Sequence, residues 1–167
     1  MLYRQFYNCA DTSTIRTLYL TLVRPHLEYA SQVWDPHLIK DCKQLEDVQK
    51  FACKVSLKSW STTYDEMLGT LSIPTLGERR KALRLCLMHK LVEPEAPEIV
   101  PLNPRICLYN TRYNHSKQLG SLNGHTLQYL NSFFPSTIKL WNKLSSNVIS
   151  LPFPTFKHHI YNLLPSS

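Results

Sequence analysis

The densest set of residues suited to chemistry is Arg79-Arg80-Lys81, followed by Arg84. Four cations in six positions are too many to bury without anionic partners, so they must meet either carboxylates or phosphates. A second set of phosphate-type residues lies downstream: Arg105, Arg112, His115, Lys117, Lys139 and Lys143. Tyr109 and Tyr113 flank Arg112 in a stretch without helical periodicity, where aromatic rings can stack on bases.

Other constellations fail on spacing. The four glycines, Gly69, Gly77, Gly120 and Gly124, fit neither G-x-x-x-x-G-K-[ST] nor G-x-G-x-x-G. There is no G-x-S-x-G elbow and no H-E-x-x-H helix. Glu46-Asp47 and Asp65-Glu66 are sequence neighbours on expected helices and diverge by roughly 100°, so neither pair converges on a metal or a proton. His158-His159 diverges likewise and has no third ligand at a metal-binding interval. No cofactor and no metal is expected, and catalysis is not.

The five cysteines, Cys9, Cys42, Cys53, Cys86 and Cys107, are odd in number and contain no C-x-x-C pair. They indicate neither a disulfide scaffold nor zinc, and they place the chain in a reducing compartment, cytoplasmic or nuclear. Cys42, Cys53 and Cys86 fall on apolar helix faces and are expected to be buried. Trp34, Trp60 and Trp141 are expected to fill the core.

The elements that must position these residues are helical. Thr12 to Trp34 has apolar residues at three-and-four spacing, capped by Asp11 or Thr12, with Pro25 kinking or restarting it. Leu38 to about Leu57 carries the stripe Leu45, Val48, Ala52 and Val55, with Lys40, Lys43, Lys50 and Lys54 mostly off it. Ser61-Thr62-Thr63 caps a short helix over Tyr64 to Leu71, and Leu76 to Val92 is a central helix. Pro94, Pro97, Pro101 and Pro104 then exclude continuous helix. Further on, Ile106 to Tyr109 reads as extended, and Asn123-Gly124 has the turn chemistry of a short β-hairpin with weak flanking alternation. Ser136 to Leu144 and Thr155 to Leu164 read as helices. The expected architecture is mainly α: a helical bundle over 1–92, a proline-rich linker over 93–104, and a small irregular and helical part over 105–167.

Charge divides along the same line. The chain of 167 residues carries +7, of which residues 1–98 hold +1 and residues 99–167 hold +6 with no Asp or Glu. A one-signed stretch favours polyanions. No run of apolar residues is long enough to cross a membrane, and Met1-Leu2-Tyr3-Arg4-Gln5 lacks the apolar core of a secretory signal.

The string Thr21-Leu22-Val23-Arg24-Pro25-His26-Leu27-Glu28-Tyr29-Ala30-Ser31-Gln32-Val33-Trp34-Asp35-Pro36 is less generic. It resembles the region after the polymerase core in reverse transcriptases of non-LTR (LINE-type) retrotransposons. The likeness continues at Lys43-x-Leu45-Glu46-x-Val48-Gln49-Lys50, Leu76-Gly77-Glu78-Arg79-Arg80, Thr111-Arg112 with His115, and Ser132-Phe133-Phe134-Pro135-x-Thr137-Ile138-x-x-Trp141-Asn142-x-Leu144. The resemblance implies thumb helices that grip template and primer, followed by a C-terminal extension. The family's aspartates belong to its palm, and this chain has no Tyr-x-Asp-Asp string and no Asp-Asp pair.

The expectation is therefore a non-catalytic reverse-transcriptase piece touching the RNA or DNA backbone without base specificity. The alternatives are a module docking on the polymerase palm or on another protein, and an element remnant with no selected activity. Docking predicts that Leu18, Leu22, Leu45 and Val48 line an open apolar patch.

Overall fold

The structure, a computed structural model, describes residues 11–93, 102 and 117–163. It is mainly helical, and the described residues form no strand. In chain order the elements are α1 (Thr12–Leu18), a π-helical turn (Tyr19–Val23), α2 (Arg24–Glu28), α3 (Ser31–Trp34), α4 (Ile39–Leu57), α5 (Tyr64–Leu71), α6 (Leu76–Val92), α7 (Leu127–Asn131), α8 (Phe133–Trp141), α9 (Ser146–Ile149) and α10 (Phe153–Leu163). They fall into two compact units. Unit 1 ends at Arg80 and unit 2 begins at Lys81, so the division lies inside α6.

Unit 1 starts with a capped helix. The Asp11 carboxylate accepts the Thr14 N–H at 3.2 Å and the Ser13 hydroxyl at 2.7 Å, and the Thr14 side chain, then that of Ser13 and the Thr14 N–H, lower its pKa to about 2. Pro25 has no N–H to give to the ladder, and the chain absorbs it by widening into the π turn just before α2. Tyr29 and left-handed Ala30, at φ 50°, then break the helix before α3. Sequence periodicity reads this whole stretch as one kinked helix; the structure divides it because Pro25 and Ala30 interrupt the hydrogen bonds locally.

The core of unit 1 is Tyr19, Cys53, Met67, Leu68, Leu71 and Ile73, from the π turn, α4, α5 and the turn after it. Thr63 and Glu66 form a reciprocal capping box on α5. Glu78 repeats the device at α6, accepting the Thr75 N–H at 3.0 Å and its hydroxyl at 2.8 Å.

In unit 2 the rest of α6 packs through Ala82, Leu85, Cys86 and Met88, and α8 and α10 contribute Ile138, Trp141, Phe156 and Ile160. His89 is enclosed by aromatic rings, 4.3 Å from Phe156 and 6.1 Å from Trp141 between centroids. Its Nε2 donates to the Leu151 carbonyl at 3.0 Å. Asn123-Gly124 makes no hairpin: the chain there is irregular and leads into α7. Gly124 lies directly against the Tyr129 ring, so the missing side chain serves close approach rather than a turn. The expected extended segment at 106–109 and most of the proline linker lie outside the described residues.

Of the three tryptophans only Trp141 is core. Its Nε1 donates to the Lys117 carbonyl at 3.0 Å, which satisfies the polar atom that burial would otherwise strand. Trp34 and Trp60 are exposed at 40% and 55%. The first sits in a short helix with its Nε1 tied to the Tyr29 carbonyl, and the second follows α4 with its ring against Phe51. Cys53 and Cys86 are buried as expected, whereas Cys42 is half-buried near the Pro36 carbonyl.

Candidate functional site

The arginine cluster resolves into partners. Arg79 is held by both oxygens of Glu28, its Nη2 donating to Oε2 at 2.9 Å, and Arg24 approaches the same carboxylate at 3.5 Å. Arg80 is only 2% exposed and donates from Nε to Asp35 at 2.7 Å. Both arginines were expected at phosphate. They are held by acids seven residues apart, on α2 and just after α3, since a guanidinium withdrawn from water is stabilised by a carboxylate beside it. In unit 2, Arg84 is buried and donates from Nη1 to the Ser136 hydroxyl at 2.9 Å. Lys81 is exposed.

A polar chain crosses the interior of unit 1. Tyr19 donates its hydroxyl to Gln49 Oε1 at 2.7 Å, and Gln49 Nε2 donates to Tyr64 Oη at 3.0 Å and to the Pro74 carbonyl at 3.0 Å. Tyr64 donates in turn to Glu46 Oε2 at 2.8 Å, and Glu46 Oε1 accepts the Gly77 N–H at 2.8 Å. Burial pushes both phenols above their ordinary range, and Glu46 adds to the effect at Tyr64. Burial likewise pushes the Cys53 thiol up to about 11 and the Cys86 thiol upward. Thiols held in this form are poor nucleophiles.

Outside this interior, unit 1 carries an open apolar groove of about 400 Å³. Ile15, Leu18 and Leu22 form one wall, from α1 and the π turn; Val48, Phe51 and Val55 form the other, from α4. Leu22 is 61% exposed, and Leu18, Val48 and Phe51 are also exposed. Leu45, expected in this patch, is half-buried and does not line it. A helical period places Leu45 and Val48 on one stripe, but α4 turns the first towards its neighbours and leaves the second open. Phe51, missed as a site residue, lines the groove and meets the Trp60 ring edge to face at 6.3 Å, and Lys54 Nζ lies 5.5 Å over the Trp60 ring.

In unit 2, Lys139 is exposed near the end of α8, and Lys143 is exposed just beyond it. Lys117 is half-buried and reaches Glu93 at 3.3 Å. Arg105, Tyr109, Arg112, Tyr113 and His115 lie outside the described residues. His158 accepts from the Asn162 side-chain amide at 3.0 Å through Nδ1. Among the described residues, no group of three or more His, Cys, Asp or Glu is placed to hold a metal ion, and no helix is long and apolar enough to cross a membrane. No protein-family model, no curated protein and no solved structure matches the chain.

Proposed function

We propose that the chain is a non-catalytic piece related to the thumb and C-terminal extension of LINE-type reverse transcriptases, and that unit 2 contacts the RNA or DNA backbone without base specificity. The observation that carries this reading is the exposure of Lys139 and Lys143 within a segment, 99–167, that has no Asp or Glu. Open cations with no nearby acid release phosphate counterions on binding, so affinity depends on salt and little on sequence. Lys81 adds a further exposed cation in the same unit. Arg79 and Arg80 stand apart from this role because Glu28 and Asp35 hold them.

The test is anisotropy of labelled single- and double-stranded oligonucleotides against the full chain over a salt series. Binding that weakens steeply with salt and is insensitive to base sequence is expected; binding that is absent at low salt, or unaffected by salt, refutes the reading.

The groove favours a second role for unit 1, docking on protein. An open groove with an aliphatic floor offers a polyanion nothing, whereas it suits an apolar surface such as that of a polymerase core.

A further inference from the structure

We infer that His89, Glu93 and Lys117 form a proton-controlled switch on the phosphate contact of unit 2: a proton taken up at His89 occupies the Glu93 carboxylate and leaves Lys117 free to hold a nucleic-acid phosphate. The inference rests on the nucleic-acid reading of unit 2. A single oxygen faces both cationic groups, since Glu93 Oε1 lies 3.3 Å from Lys117 Nζ and 3.8 Å from His89 Nδ1. Glu93 is the one carboxylate among the described residues of unit 2, so the two share it.

The His89 ring has an acceptor on each side. Its Nε2 donates to the Leu151 carbonyl at 3.0 Å, so the neutral ring carries its proton there and turns a lone pair at Nδ1 towards the carboxylate. Nδ1 is buried and has no hydrogen-bond partner among the described residues. A second proton turns Nδ1 into a donor, and the ring is then matched at both nitrogens. Histidine is the side chain that ordinarily makes this change near neutral pH. On the elements around it, α6 carries Arg84, Cys86 and Lys90, α8 carries Lys139, and α10 carries Lys157, His158 and His159. Lys90 lies 4.5 Å over the Phe153 ring, which itself borders His89. The cations among these oppose a charge on His89, and Glu93 favours it.

With His89 neutral, Glu93 and Lys117 cancel. With His89 charged, the three groups carry one net positive charge. His89 is only 2% exposed and meets no ligand, whereas Lys117, at 37%, presents that charge to solvent. Phosphate at Lys117 must in turn favour the proton on His89, because such coupling is reciprocal.

The experiment compares the full chain with Glu93→Gln by anisotropy of a labelled oligonucleotide at about pH 8 and about pH 6. Glu93→Gln is expected to bind roughly threefold more tightly than the parent chain at the higher pH and equally at the lower, where the proton has already neutralised the effect of Glu93. Exposed histidines titrate alike in both chains and cancel in the ratio. Adding Lys117→Gln should erase the gain. In a background of Trp34→Phe with Trp60→Phe, Trp141 emission should fall on acidification, because an imidazolium 6.1 Å away quenches the indole, and Glu93→Gln should move that step to lower pH. An equal gain at both pH values, a gain that survives Lys117→Gln, or an emission step that Glu93→Gln leaves unmoved overturns the inference. Binding absent in every variant while the emission step persists overturns the nucleic-acid reading and the phosphate end of the switch, and leaves the coupling of His89 to Glu93 standing.

Discussion

Glu46 caps a helix to which it does not belong. Its carboxylate, on α4, accepts the N–H of Gly77 at 2.8 Å in the first turn of α6 and also receives the Tyr64 hydroxyl. A negative charge at a helix N-terminus satisfies orphan donors and complements the helix dipole. This one side chain joins α4, α5 and α6.

Replacing Glu46 by Ala therefore removes the acceptor of three donors, the Tyr64 hydroxyl and the N–H groups of Leu76 and Gly77. Urea unfolding is expected to show a loss of about 1 to 3 kcal/mol with an unchanged slope, and Glu46→Gln a smaller loss because an acceptor oxygen survives. Equal losses for both would mean that the carboxylate is not the group holding α6.

Arg80 and Asp35 should behave as a coupled pair. Arg80→Met leaves the Asp35 carboxylate without its charge partner, and Asp35→Asn leaves a buried guanidinium; each is expected to cost about 3 to 5 kcal/mol. The double variant should cost much less than the sum, as read from a double-mutant cycle. Loss of nucleic-acid binding in Arg79 or Arg80 variants would thus report damage to unit 1 rather than removal of a phosphate contact.

Nucleic-acid contact is better tested at Lys139 and Lys143. Neither has an acid nearby in sequence, and both are exposed. Lys139→Gln with Lys143→Gln should leave the melting temperature nearly unchanged and lower the salt dependence of duplex binding by about 1 per lysine. An unchanged slope would remove both residues from the interface.

Stability should fall in alkali. The Cys53 thiol titrates near 9.0 when unfolded and near 11 in the folded chain, so between those values the unfolded state ionises first and unfolding gains. Tyr19 and Tyr64, also raised by burial, push in the same direction at higher pH. Denaturant midpoints are expected to drop progressively above pH 9, and Cys53→Ala should flatten the first part of that drop. The native Cys53 should also react with a thiol reagent more slowly than the half-buried Cys42.

Local order in this protein was legible from residue order alone. The span Tyr64–Leu71, the long helices Ile39–Leu57 and Leu76–Val92, and capping of the first helix by Asp11 or Thr12 and of the short one within Ser61-Thr62-Thr63, follow from a 3.6-residue period and from side chains that reach their own backbone, both properties of neighbouring residues; the structure selects Asp11 and Thr63. The charge division at 99 is likewise a property of composition. Tertiary structure alone decided which acids took the arginines, since Glu28 and Asp35 lie 51 and 45 residues from their partners. It also decided that Trp60 and Leu22 face outward while Gln49 and Arg80 lie inside. Periodicity marks an apolar face, but whether that face is covered depends on which other helix arrives there. On unit 1 the face of Leu18, Leu22, Val48 and Phe51 meets none among the described residues.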